Sequence, residues 1–242
     1  MIERLHVSHR ELLSKLPEDG TPGTTQYRLP GDVPAADEAL LGDDARRIIE
    51  VAATSETGSV LCTHAGGATL VVPAFAIETR DDYSEVYAGP LRAVLDRERV
   101  YAVLLLRLGG FSVGFFRGAA LVDSKTDQRF VKNRHRKGGQ SQRRFDRIRE
   151  KQVDELFGKA CETARETLTP YEAEIEHVFF GGDRHTLQAF HKECSYFQRF
   201  GARVMQRVLP VPGDPRRASL DAIPREVWSS ELYVTHADAT GS

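Results

Sequence analysis

Apolar positions change their spacing several times along the chain, and each change marks an element. From about Ser8 to Leu16 and from about Ala35 to Val51 the spacing is helical, on either side of a turn-rich stretch from Pro17 to Pro34. Between Gly58 and Phe75, apolar and β-branched runs flank Ala65-Gly66-Gly67, which predicts a hairpin. Pro90 to Arg99 predicts a short helix, with Pro90 in the first turn and Leu91, Val94 and Leu95 on one face. Val100 to Leu108 and Phe111 to Arg117, joined by Gly109-Gly110, form the clearest hairpin, and Ala119 to about Phe130 extends it as a more polar third strand.

Val131 to Gln140 contains almost no apolar residue and predicts an exposed loop. Beyond it Phe145, Ile148, Val153, Leu156, Phe157, Ala160, Cys161, Ala164 and Leu168 recur at helical spacing until Pro170 closes the element. A strand at about Ile175 to Phe180, a turn at Gly181-Gly182-Asp183, a helix at about Arg184 to His191 and a strand at about Arg203 to Leu209 follow. Ile223 to Tyr233 predicts one short helix, and Ala237 to Ser242 a disordered tail. The order of elements predicts an α/β fold class, a mixed β-sheet with packed helices.

Composition narrows the class. With 242 residues, 40% of them apolar and 28% charged, and a mean hydropathy of −0.39, the chain reads as a soluble globular protein rather than a disordered or fibrous one. The longest apolar run, Val100 to Leu108, is interrupted by Arg107 and falls short of the roughly 20 residues of a membrane span. Met1 to Arg10 carries charge and histidine where a signal peptide carries an apolar block, so a cytoplasmic location is expected. Cys62, Cys161 and Cys194 are odd in number and widely spaced, which predicts free core thiols in a reducing compartment, no disulfide and no structural zinc.

A net charge of −2 conceals an asymmetry. Lys125 to Lys151 holds 11 Lys or Arg against 3 acids, and the rest of the chain 22 against 32. A basic segment on an acidic body is the electrostatic footprint of a protein that touches a polyanion with one element, the alternative being a solvated surface run. Inside it stand Gly138-Gly139-Gln140. That tripeptide has a chance expectation of roughly 0.05 occurrences at this composition. Ser141 can cap the helix that follows. Arg143, Arg144 and Arg147, however, crowd the positive end of its dipole, and Arg143, Arg147 and Lys151 repeat like charge at i, i+4. Phosphate would relieve both conflicts, since arginines around a helix N-terminus make an anion site.

The run from Arg134 to Arg149, with Gly138-Gly139-Gln140-Ser141, Arg144-Phe145, Arg147, Ile148 and Arg149, resembles the middle domain of archaeal and eukaryotic class-I translation release factors. The order of elements from about Leu70 to Leu209 is similar too. The resemblance implies a release-factor middle-domain-like fold at 70–209. Residues 1–69 would be a small N-terminal extension, a reduced form of the family's first domain, and 210–242 a C-terminal extension. With no NIKS stop-codon motif, the chain most resembles the stand-alone peptidyl-tRNA hydrolases of ribosome quality control. The implied function is release of nascent chains from stalled ribosomes or large subunits. The alternative is a non-catalytic stress or dormancy factor that occupies the peptidyl-transferase centre.

On that resemblance Gly138, Gly139 and Gln140 are the catalytic residues, in an active centre shared with ribosomal RNA. Arg134, His135, Arg136, Lys137, Ser141, Arg143, Arg144, Arg147 and Lys151 bind RNA. The implied partners are the large ribosomal subunit, its RNA and peptidyl-tRNA, engaged by a monomer with no cofactor, no metal and no membrane. Competing constellations are weaker. Asp123, Asp127, Asp183 and Glu193 share no local motif, His185 and His191 lie six residues apart instead of four, and the cysteines read as core thiols rather than nucleophiles.

Overall fold

Ser8 shows how directly local sequence becomes local structure. Its hydroxyl accepts from the Glu11 backbone while the Glu11 carboxylate accepts from the Ser8 N–H at 3.0 Å, a reciprocal cap that starts a helix at the predicted place. The computed structural model describes residues 2–36, 38–129, 131 and 140–236, with backbone alone at 39, 40 and 140–143. In chain order the elements are β1 (Glu3–Val7), α1 (His9–Lys15), β2 (Pro22–Arg28), α2 (Glu38–Leu41), α3 (Asp44–Ala53), β3 (Ser59–His64), β4 (Gly67–Val72), β5 (Asp81–Glu85) and α4 (Gly89–Asp96). There follow β6 (Val100–Arg107), β7 (Gly110–Arg117), β8 (Ala120–Gln128), α5 (Gln140–Leu168), β9 (His177–Gly182), α6 (Arg184–Glu193), β10 (Val204–Leu209), α7 (Arg217–Asp221), α8 (Ile223–Val227) and β11 (Ser230–His236).

The chain divides into two units, 1–97 with 225–242, and 98–224. The first is built on a six-stranded antiparallel sheet in the order β1-β11-β4-β3-β2-β5. Ala45, Ile48 and Ala52 put one stripe of α3 against Leu61, Ala68, Leu70 and Tyr233 of the sheet. The Trp228 ring meets Phe75 edge-on at 5.2 Å, and its Nε1–H donates to the Leu95 carbonyl at 3.3 Å.

The second unit holds a mixed five-stranded sheet, β10-β9-β6-β7-β8, with α5 and α6 packed on it, the α/β arrangement that the pattern of apolar positions predicts. β6, β7 and β8 form an antiparallel meander. The chain then crosses through α5 to place β9 parallel to β6, and β10 parallel to β9. Leu156, Phe157, Ala160, Ala164 and Leu168 of α5 are buried in one core with Leu104, Phe111, Val113, Phe115 and Phe180.

Several expectations are corrected. The helix expected over Ala35 to Val51 is two, divided at Gly42, whose φ of +54° no helix accommodates. The turn-rich stretch Pro17 to Pro34 contains β2, where Arg28 is buried. Its guanidinium is held by Gln26 Oε1 at 2.6 Å, Asp82 Oδ1 at 2.7 Å and the Tyr27 carbonyl at 2.9 Å, so a charge that argues against a strand locally is neutralised across the sheet. The expected helix at Ile223 to Tyr233 stops at Val227 and becomes β11.

The expected boundaries at 69/70 and 209/210 do not match the units. Residue 70 lies inside β4, and the C-terminal segment returns as β11 between β1 and β4. Gly181 and Gly182 are not a turn but the end of β9, paired with Leu105 and Leu106. At Gly182 φ is +134° and a Cβ would lie 2.0 Å from the Leu106 carbonyl oxygen. Cys161 and Cys194 are not free thiols: they form a disulfide between α5 and the end of α6, with Cα atoms 5.6 Å apart, a proximity that their separation of 33 positions hides. Cys62 alone is free, and burial pushes its thiol up to about 11.

Candidate functional site

The predicted site lies between β8 and α5. β8 is the outer strand of its sheet and pairs with β7 as far as Gln128. The Arg129 N–H then donates to the Gly109 carbonyl at 3.1 Å, closing the ladder at the β6–β7 hairpin. Val131 is buried in the same core as Leu156 and Phe157. Of the predicted site residues, Arg134, His135, Arg136, Lys137, Gly138 and Gly139 fall outside the described residues.

α5 begins at Gln140, so the third residue of the tripeptide is the first of the helix, and Ser141 and Arg143 follow in its first turn. From Arg144 to Glu155 no residue is buried; burial starts at Leu156. The span from Gln140 to Leu156 is about 24 Å of helix at 1.5 Å per residue. Arg144, Arg147 and Lys151, at i, i+3 and i+7, share one face of this stretch and are all exposed. Lys151 lies 3.8 Å from Glu155, a weak exposed pair. The structure thus brings Arg144, Arg147 and Lys151 together on the helix that Gln140 opens.

The competing groups have structural employment. Asp183 caps α6, accepting from the Thr186 N–H at 2.9 Å and hydroxyl at 3.0 Å, which holds its carboxyl below the usual aspartate range. The His191 ring meets Phe180 edge-on at 4.4 Å, and partial burial lowers its pKa. Among the described residues no cluster of three His, Cys, Asp or Glu could hold a metal ion, and no helix is long and apolar enough to cross a membrane. A cavity of about 270 Å³ between α6 and β10 includes none of the predicted site residues.

The two units differ in the sign of their charge, which the sequence pattern did not reveal. The first carries 10 Lys or Arg against 19 Asp or Glu, the second 23 against 16, or −9 and +7. The signal lies in composition, but becomes visible only when the chain is cut at the unit boundaries.

Comparison with known proteins bears on the second unit above all. A family model described as Actinobacteria/chloroflexi VLRF1 release factor matches residues 99–233. Peptide chain release factor subunit 1 of Archaeoglobus fulgidus is 32% identical over 109 residues, 45% of this chain and 27% of that protein. Its counterpart in Methanopyrus kandleri is 32% identical over 107 residues, 44% and 26% of the two chains. The chain thus matches about a quarter of the length of these curated relatives. A crystal structure of archaeal translation termination factor aRF1 aligns with 86% of this chain and 67% of that one, at 18% identity and a TM-score of 0.37, a likeness too loose to add to the sequence matches.

Proposed function

The chain belongs to the Actinobacteria/chloroflexi VLRF1 release factor family, and from that premise we propose that it is a peptidyl-tRNA hydrolase that releases nascent chains from stalled ribosomes or large ribosomal subunits. The observation that carries this reading is the start of α5 at Gln140, on a helix with no fully buried residue from Arg144 to Glu155. A helix that starts there can carry the tripeptide into a confined RNA cavity while the folded unit stays outside it.

The chemistry suits the residues. Hydrolysis of the ester between peptide and ribose requires a placed water and stabilisation of the developing oxyanion. A backbone N–H aimed at that oxygen supplies about 10²- to 10³-fold. Gly138 and Gly139 let the main chain approach RNA without a Cβ, and the Gln140 amide can orient the water. Arg134, His135, Arg136, Lys137, Ser141, Arg143, Arg144, Arg147 and Lys151 would hold the surrounding phosphates, with RNA completing the active centre. The protein acts as a monomer in the cytoplasm, on the large subunit, its RNA and peptidyl-tRNA.

The test is release of labelled peptide from peptidyl-tRNA on isolated large subunits, with free peptidyl-tRNA as the control. Release that depends on Gln140 supports the proposal. Tight binding without release would transfer the assignment to a plug of the same cavity, and absence of both would end it.

A further inference from the structure

β10 is the outer strand of its sheet and leaves the ladder for part of its length. It pairs with β9 at Val204 and again at Val208, opposite Val178 and Phe180, so the strand bulges between the two contacts. The bulged strand and α6 bound a cavity of about 270 Å³, with Phe180, Leu187, Val204 and Val208 among its walls. That lies just under the roughly 300 Å³ at which pockets for small organic ligands begin, which suits a single planar ring system.

Polar groups enter the same space from one side of α6. Arg184, Gln188 and His191, at i, i+4 and i+7, share a face of the helix, line the cavity and keep part of their surface open to water. They supply a fixed cation, an amide that both donates and accepts, and an imidazole that desolvation keeps neutral, so that one ring nitrogen donates and the other accepts. His185 and Lys192 are exposed on the same helix, in a unit of charge +7. An apolar protein segment seated here would strip water from the guanidinium and the amide without replacing it. A nucleotide instead offers an apolar base face, a hydrogen-bonding ring edge and a phosphate.

We propose that the cavity between α6 and β10 is a nucleotide site: the base enters the apolar cleft, Gln188 and His191 read its edge, and Arg184 holds its phosphate. None of these residues is among those assigned to peptide release, and the proposal does not depend on that assignment. The nucleotide is either free in solution or an unpaired residue of an RNA strand.

The experiment follows the methyl signals of Leu187, Val204 and Val208 by NMR as the full chain is titrated with the ribonucleoside 5′-monophosphates, with ribose 5-phosphate and with single-stranded RNA hexanucleotides. At least one monophosphate should shift these signals, and ribose 5-phosphate should leave them in place. Arg184→Gln should weaken the monophosphate about tenfold, the loss of one charge-assisted contact, while binding of the matching nucleoside and the melting temperature stay those of the parent. Gln188→Ala should weaken nucleotide and nucleoside alike. A hexanucleotide that binds more tightly than its monophosphate identifies the ligand as RNA, and equal or weaker binding identifies a free nucleotide. Equal shifts with ribose 5-phosphate would reduce the site to an anion contact and overturn the proposal. Signals unmoved by every nucleotide at millimolar concentration, or moved only by an apolar peptide, would overturn it too, as would parent-like affinity in both variants.

Discussion

Val131 and Leu156 are buried in the same hydrophobic core, on either side in sequence of residues 132–155, which include every residue proposed for chemistry and RNA contact. Stability and function are therefore separable along the chain. The anchors belong to the core, and from Arg144 to Glu155 no residue is fully buried.

Gln140→Ala should lower peptide release at least tenfold, the loss expected for a group acting only on the transition state. Its melting temperature should match the parent's, because Gln140 is the first residue of α5 and alanine is at least as good a helix former as glutamine. Leu156→Ala should instead destabilise the second unit by about 2–5 kcal/mol through the cavity it leaves. Release kinetics and denaturant melts on both variants check the contrast; equal release from parent and Gln140→Ala would contradict the catalytic assignment.

Affinity for large subunits should fall steeply with salt. Replacing Arg144, Arg147 and Lys151 together by Gln should flatten the dependence of log K on log salt by about 0.7 to 0.9 for each phosphate left without its cation. A titration series at several salt concentrations reads the slope directly. An unaltered slope would mean that this exposed face touches no phosphate.

Release should be indifferent to the codon in the A site. The first unit, at −9, has the wrong sign for reading a messenger, while the positive charge is gathered in the second. Matched complexes carrying stop, sense or no messenger should release at comparable rates. A strong preference for stop codons would restore a decoding role.

Reduction of the Cys161–Cys194 bond should destabilise the second unit. Closing a loop of this length removes about 3–4 kcal/mol of unfolded-state freedom when only chain entropy is counted. Cys161→Ser and the parent in reductant should melt alike and below the oxidised parent, as thermal unfolding with and without reductant will show. Identical melts in all three would mean that the bond does not form in solution.

Asp183 should link stability to pH. Its carboxyl is held below the usual range by the Thr186 hydrogen bonds, so its contribution is complete above the ordinary aspartate pKa and is lost as pH falls through the lowered folded value. Asp183→Ala should cost about 1 kcal/mol at neutral pH. Asp183→Asn should keep most of the cap and lose the acid sensitivity, which denaturant melts across the acid range would reveal.

Hydrophobic patterning alone determined the second unit's order, because Val100 to Arg117 reads as two continuous apolar runs, buried on both faces and parted at Gly109-Gly110, while the α5 stripe from Val153 to Leu168 repeats at helical spacing. The tripeptide and its arginines were legible because they break local rules of helix design. Tertiary structure decided what depends on distant partners. β2 exists because Asp82 and Gln26 satisfy Arg28, and β11 because β1 and β4 leave a slot between them that only the returning chain fills. The unit boundaries follow from that return. Cys161 meets Cys194 because α5 and α6 pack on the same sheet, and Phe145 is exposed although it shares the helical spacing of the buried stripe. Hydrophobic spacing says which way a side chain faces along its element; only the fold says whether anything lies opposite.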